Sequence, residues 1–347
     1  MAASAPEPPP RALRLALARA AGLVIPEGRI GLFHPGRAEA LPDLPPDRLL
    51  AITPHAPDHA ALAAQGLAVQ SDDPPPASLA AAIVCLPRSR IEAQDLIARA
   101  ARATAGPVVV DGQKTDGIES VLRALRARVA LSDPLSKGHG RIAWFASAPL
   151  EDWIVEPARV EGFLTRPGLF SADGPDPASR QLAEAVPASA GGVAVDLGAG
   201  WGYLAARVLA RAPGLAALHL VESDARALHC ARANVTDPRA RFHWADATRP
   251  LPGLRADLVL TNPPFHLGRT ASPGLGAAFI AAAAAMLNPG GALWLVANRH
   301  LPYEAALTAA FRAVDEVAGS PAFKILRATG PRPATAAPPA RRPRLRA

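Results

Sequence analysis

Val193-Ala194-Val195-Asp196-Leu197-Gly198-Ala199-Gly200-Trp201-Gly202 decides the fold of the second half of this chain. Its first five residues are apolar except for Asp196 and read as a buried strand. Glycine then recurs at every second position until Tyr203 opens a helical pattern. Glycines at such a turn let the backbone bend sharply and let a ligand come close to it. Outward from this turn the alternation repeats. Strands are predicted at 193–197, 217–222, 241–245, 256–261, 292–297 and 323–327, and helices at 203–212, 225–234, 275–287 and 303–314. Short links between alternating strands and helices predict a doubly wound, parallel-type α/β sheet.

The first half has the same rhythm without the glycines. Strands are predicted at 49–53, 81–86, 106–111 and 141–145, and helices at 90–103 and 117–128. No strand there runs into a Gly-x-Gly-x-Gly turn, so this half is expected to have a nucleotide-binding type of fold without a cofactor loop. Residues 167–177, with Gly168, Asp173 and Gly174, form a turn-rich connector. The chain divides into a Pro-rich disordered arm at 1–10, a first domain at 11–160, a second at 161–330 and a basic disordered tail at 331–347.

Half of the 347 residues are apolar, which allows two sizeable cores. Five arginines in the acid-free tail account for most of the net charge of +7 and leave the body at +2. The two cysteines, Cys85 and Cys230, show neither a pairing pattern nor a metal-ligand spacing. They read as reduced thiols in a cytoplasmic protein that holds no metal. No apolar run approaches the roughly 20 residues of a membrane span. Leu13, Leu17 and Ala20 share a helical face, so the Arg-rich start reads as a first helix rather than a transit peptide.

The glycine spacing separates two cofactor classes. A dinucleotide fingerprint would place its third glycine where Tyr203 stands. With Asp196 just ahead of Gly198, Gly200 and Gly202, the loop suits S-adenosylmethionine better than NAD. Asp196 would act at the cofactor's charged amino-acid end, directly or through water. Glu222, twenty residues after Gly202, would accept from both ribose hydroxyls, and Asp246 from the adenine amino group.

The strand predicted at 256–261 ends abruptly at Asn262-Pro263-Pro264-Phe265, because each proline lacks an N–H and fixes φ. In a doubly wound sheet this strand lies beside the glycine-loop strand, across the switch point. Asn262 would therefore border the cofactor as well as a substrate. Its side-chain oxygen and the Pro263 carbonyl would accept hydrogen bonds from an exocyclic amine, aiming the nitrogen at a methyl group. Pro264 and Phe265 would bind the base, with Phe265 stacked on it, and His266 would shape the pocket or touch RNA.

At these residues the chain resembles the class I S-adenosylmethionine-dependent methyltransferases, and within them the bacterial ribosomal RNA guanine-N2 enzymes of the small-subunit type. Asn262-Pro263-Pro264-Phe265-His266 matches their acceptor motif, Val296-Ala297-Asn298-Arg299-His300 the segment after strand five, and Phe323-Lys324-Ile325-Leu326-Arg327 the final strand. Pro167-Gly168-Leu169-Phe170-Ser171 is similar to their pre-catalytic loop. In the first half, Leu86-Pro87-Arg88-Ser89-Arg90 and Gly112-Gln113-Lys114-Thr115-Asp116-Gly117 are similar as well. The family often carries Cys where Ala199 stands.

The resemblance implies two tandem Rossmann-like methyltransferase domains, the second with a late antiparallel strand, the first serving RNA recognition or folding support. It implies methyl transfer to the N2 amine of a guanine in small-subunit ribosomal RNA, by a monomer whose partner is that RNA or the assembled subunit. Other amine acceptors remain open at this point: large-subunit RNA guanine, DNA adenine, protein glutamine or a small molecule. A non-catalytic RNA-binding assembly factor remains open too.

Overall fold

The glycine turn leaves the carboxyl end of an interior strand in the second of two seven-stranded sheets. The structure, a computed structural model, describes residues 10–36, 44–264, 266–267, 270–271 and 273–333. The first sheet contains β1 (Ile30–Phe33), β2 (Leu49–Ile52), β3 (Ala68–Gln70), β4 (Ala81–Cys85), β5 (Pro107–Gln113), β6 (Leu135–Lys137) and β7 (Gly140–Ala146). Helices α1 (Pro10–Ala20), α2 (Ala56–Ala64), α3 (Arg90–Ala103) and α4 (Ile118–Arg126) belong to it. A short antiparallel ribbon, β8 (Ala158–Val160) with β9 (Phe163–Thr165), leads to α5 (Pro177–Ala185).

The second unit follows with β10 (Gly192–Leu197), α6 (Tyr203–Arg211), β11 (Leu215–Glu222), α7 (Ala225–Asn234), β12 (Ala240–Trp244) and β13 (Ala256–Thr261). After the two-residue strands β14 (His266–Leu267) and β15 (Thr270–Ala271) come α8 (Pro273–Met286), β16 (Leu287–Asn298), α9 (Glu304–Ala310), β17 (Phe311–Gly319) and β18 (Phe323–Pro331).

The strand orders, β3-β2-β1-β4-β5-β7-β6 and β12-β11-β10-β13-β16-β18-β17, are the same when each sheet is counted from its own first strand. The first four pairings of each order are parallel and the last two antiparallel, so β7 and β18 alone run against the other strands of their sheets. Helices cover both faces, so successive side chains of one strand enter different cores. In β13, Leu258 and Leu260 join one apolar cluster and Val259 the other. In β4, Ala82 and Val84 part in the same way from Ala81, Ile83 and Cys85.

Three short strands of the first sheet, β1, β3 and β6, were not predicted from the sequence; they are only four, three and three residues long. β1 is nevertheless an interior strand, third in the order and paired on both sides. It runs into His34, with φ of 56°, rather than into a glycine loop. The helix predicted at 303–314 is corrected: α9 stops at Ala310, and Phe311 begins an edge strand. Its alanines favour helix locally, but antiparallel pairing with β18, from Phe311 opposite Pro331 to Gly319 opposite Lys324, decides the outcome. The tail predicted from 331 also starts later, because Pro331 closes β18 and the Arg332 N–H donates to the Ala310 carbonyl at 2.8 Å. Residues 1–9 and 334–347, the rest of the predicted arm and tail, lie outside the described residues.

The carboxyl ends of the two sheets meet. Pro54, just past β2, accepts hydrogen bonds from Trp244 Nε1 at 2.9 Å and from the Ala225 N–H at 2.8 Å. The Ala56 N–H donates to Ser223 O at 2.8 Å, and Arg226 pairs with Glu92 at 2.8 Å. His59 packs edge-on against the Trp244 ring. The first unit thus rests on the loops that leave β11 and β12. Among the described residues, no helix is long and apolar enough to cross a membrane.

Candidate active site

Three parallel strands carry the site. The Thr261 hydroxyl donates to Leu197 O at 2.9 Å and locks the ends of β13 and β10 together. Beyond β10, the N–H groups of Gly198 and Ala199 both donate to Val221 O, at 2.9 and 3.1 Å, tying the glycine loop to β11. Gly202 caps α6 with φ of 87°, and a Cβ there would stand 2.8 Å from Val235 Cγ2, so only glycine lets α6 close on α7. At Gly200, φ is 55° and the space above is open. Its N–H donates to Glu222 Oε2 at 2.8 Å.

Asp196 is 1% exposed, and its Oδ2 has no hydrogen-bond partner. Burial first, and the Glu222 charge second, push its carboxyl up to about 7, against the pull of the Ala205 N–H in the first turn of α6. Glu222 is also buried, which raises its pKa. The N–H groups of Asp224 and Gly200 and the Ser223 hydroxyl oppose that rise by favouring the carboxylate. One lone-pair direction of Oε2 stays available after these bonds.

Asn262 follows β13. Its Nδ2 donates to Asp176 Oδ2 and to Ser179 Oγ, each at 2.9 Å. Its Oδ1 is buried without a partner. Asp196, Gly198, Gly200, Asn262, Asp176 and Ser179 line one recess. The connector closes over it: Trp201 Nε1 donates to Phe170 O at 2.9 Å, and Phe163 packs against Trp201 and Tyr203.

The structure therefore brings together Asp196, Gly198, Gly200 and Asn262, with Glu222 joined through Gly200 and Gly202 behind the loop. Asp246 stands apart from the recess lining, and its Oδ1 accepts from the Thr248 N–H at 2.9 Å and hydroxyl at 2.5 Å. Pro263 is buried and Pro264 exposed. Phe265 and the His266 side chain lie outside the described residues. Sequence reading missed Asp176 and Ser179. The signal was present as an acid before Pro177, a helix-start signature, but nothing local says that the cap also reaches Asn262.

The residues fit S-adenosylmethionine. An unpaired buried carboxylate oxygen at Asp196 suits an ammonium group, the one free direction on Glu222 Oε2 suits a ribose hydroxyl, and left-handed glycines leave room for the ligand between them. The unpaired Asn262 oxygen suits a separate hydrogen donor.

Comparison with known proteins agrees. The Methyltransferase small domain family matches residues 161–327. A ribosomal RNA small subunit methyltransferase C from Pectobacterium atrosepticum is 33% identical over 239 residues, 65% of this chain and 67% of that protein. This chain belongs to the small subunit methyltransferase C family. A second member, from Alteromonas mediterranea, is 29% identical over 262 residues, 71% of this chain and 72% of its own length. A ribosomal RNA large subunit methyltransferase G from Shewanella amazonensis is 36% identical over 166 residues, 46% of this chain and 43% of its own. Among solved structures, the T. thermophilus 16S rRNA N2 G1207 methyltransferase (RsmC), in complex with AdoMet and guanosine, covers 88% of this chain and 89% of its own, with a TM-score of 0.72 at 25% identity. The tandem, mostly parallel sheets described above match the architecture of methyltransferase C.

Proposed function

We propose that this chain transfers a methyl group from S-adenosylmethionine to the exocyclic N2 amine of a guanine in small-subunit ribosomal RNA. The observation that carries this is the buried, unpaired Asn262 oxygen sharing one recess with Asp196, whose Oδ2 is also unpaired. When bound, the cofactor supplies an electrophilic methyl group on a sulfonium. Asp196 would hold its ammonium end, the glycine loop would lie against it, Glu222 would take its ribose and Asp246 its adenine. Asn262 Oδ1 and the Pro263 carbonyl accept the two N–H bonds of the guanine amine. A ring-conjugated amine is a poor nucleophile, and those bonds favour pyramidal nitrogen and fix its approach. Phe265 stacks on the base, Pro264 and His266 border it, and the guanine leaves its helix or loop to reach them. The N–C bond would form as the S–C bond breaks, S-adenosylhomocysteine would leave, and the proton made acidic by positive charge on nitrogen would pass to water, so no strong base is required.

In this reading, residues 161–330 do the chemistry, and residues 11–160 recognise RNA and support the catalytic fold. The protein acts as a cytoplasmic monomer without a metal, on RNA or an assembled subunit. Transfer of tritium from S-adenosylmethionine to ribosomal RNA, naked and in subunits, tests the reading, with mass mapping of the product. Binding of the cofactor without incorporation into any RNA would sink it.

A further inference from the structure

A carboxamide can present either end to a pocket, and only its oxygen can accept a hydrogen from an amine. At Asn262 the choice is made by the connector helix, 86 residues away in sequence. The Asp176 carboxylate can only accept, and it faces Asn262 Nδ2 at 2.9 Å. Ser179 Oγ faces the same nitrogen at 2.9 Å. Both amide hydrogens are engaged, and Oδ1 is the end left buried without a partner. Rotating the amide by half a turn would set its oxygen against the carboxylate and its hydrogens against those of an incoming amine. Both contacts are repulsive.

Asp176 already has an ordinary task, since its Oδ2 accepts the Ser179 N–H at 2.8 Å and caps α5. That task does not require a side chain long enough to reach Asn262, because the shorter serine caps helices about as well. We propose that Asp176 and Ser179 are positioning residues for methyl transfer, holding the Asn262 amide with its oxygen toward the acceptor amine. The proposal rests on the role given to Asn262 above.

Three variants separate positioning from capping. Asp176→Ser keeps a capping oxygen but is too short to reach Asn262. Asp176→Asn keeps an acceptor for both bonds. Ser179→Ala leaves the cap untouched, since the capped donor is a backbone N–H. Asp176→Ser should lower kcat roughly tenfold and Ser179→Ala about threefold, the range of a lost hydrogen bond. Asp176→Asn should stay within about threefold of the unaltered protein. The calorimetric Kd for S-adenosylmethionine and the unfolding midpoint should hold in all three. If Asp176→Ser proves unstable, Ser179→Ala reads the same effect on an intact helix. Full kcat in Ser179→Ala, or equal losses in Asp176→Asn and Asp176→Ser, would overturn the positioning role. Because each result is a ratio to the unaltered protein's own rate, a protein that methylates no RNA at all refutes the proposed function instead.

Discussion

Acidification through neutrality should weaken the hold on S-adenosylmethionine, and Asp196 sets where the decline begins. With its carboxyl pushed up to about 7, Asp196 is roughly nine-tenths ionised at pH 8 and one-tenth at pH 6 in the unliganded protein. An ammonium group binds the carboxylate and not the acid. Affinity should therefore fall about tenfold from pH 8 to pH 6, and about tenfold more for each further unit. Binding near pH 6 should also release close to one proton. Calorimetric titrations in buffers of different ionisation enthalpy read both quantities. Asp196→Asn should bind weakly at every pH, with a flat profile.

Stability moves with the same group. Between its ordinary 3.8 and about 7, the folded chain keeps a proton on Asp196 that the unfolded chain has lost. Stability should therefore decrease as pH rises through that window, by at most about 4 kcal/mol. Asp196→Asn should remove that decrease and raise the unfolding midpoint at pH 8. An affinity for the unaltered protein that does not change between pH 6 and pH 8 would refute the whole line of reasoning.

Other expectations concern single contacts. Asn262→Ala should cut methyl incorporation roughly a hundredfold while leaving the cofactor Kd within a few-fold, and an equal fall in both would show that the assigned role is wrong. Gly202→Ala puts a Cβ 2.8 Å from Val235 at a φ of 87° and should cost about 2 kcal/mol in denaturant unfolding. Trp244→Phe removes the donor shared by Pro54 O and Ser223 O, at 2.9 and 2.8 Å. It should cost about 1–2 kcal/mol of stability and weaken S-adenosylmethionine, with thermal unfolding and titration as the checks.

The second sheet was legible because its signals are local. Val193 to Gly202 contains a strand, its stop and the next helix start, and Pro263 and Pro264 mark the end of β13 without reference to anything distant. Strand β1 of the first sheet was not legible, because Ile30–Phe33 is four residues long and owes its place to β2 and β4 on either side. β17 was read as helix for a related reason: only its partner β18 makes it a strand. Within the site, strand-end residues such as Asp196 and Asn262 could be found by position. The contact of Asp176 with Asn262 could not, since it depends on how the connector folds back over the sheet.

The Pro54 carbonyl, shared between Trp244 Nε1 and the Ala225 N–H, has a consequence for regulation. It joins a sheet without a glycine loop to the ends of β11 and β12 in the sheet that has one. In the proposed reading, RNA recognised by the first unit and cofactor held by the second would act on the same joint. Linkage then runs both ways: whatever RNA contributes to cofactor affinity through residues 53–59, the cofactor returns to RNA affinity by the same factor. The unit without a glycine loop would then make the order of substrate binding a property of the joint rather than of either pocket.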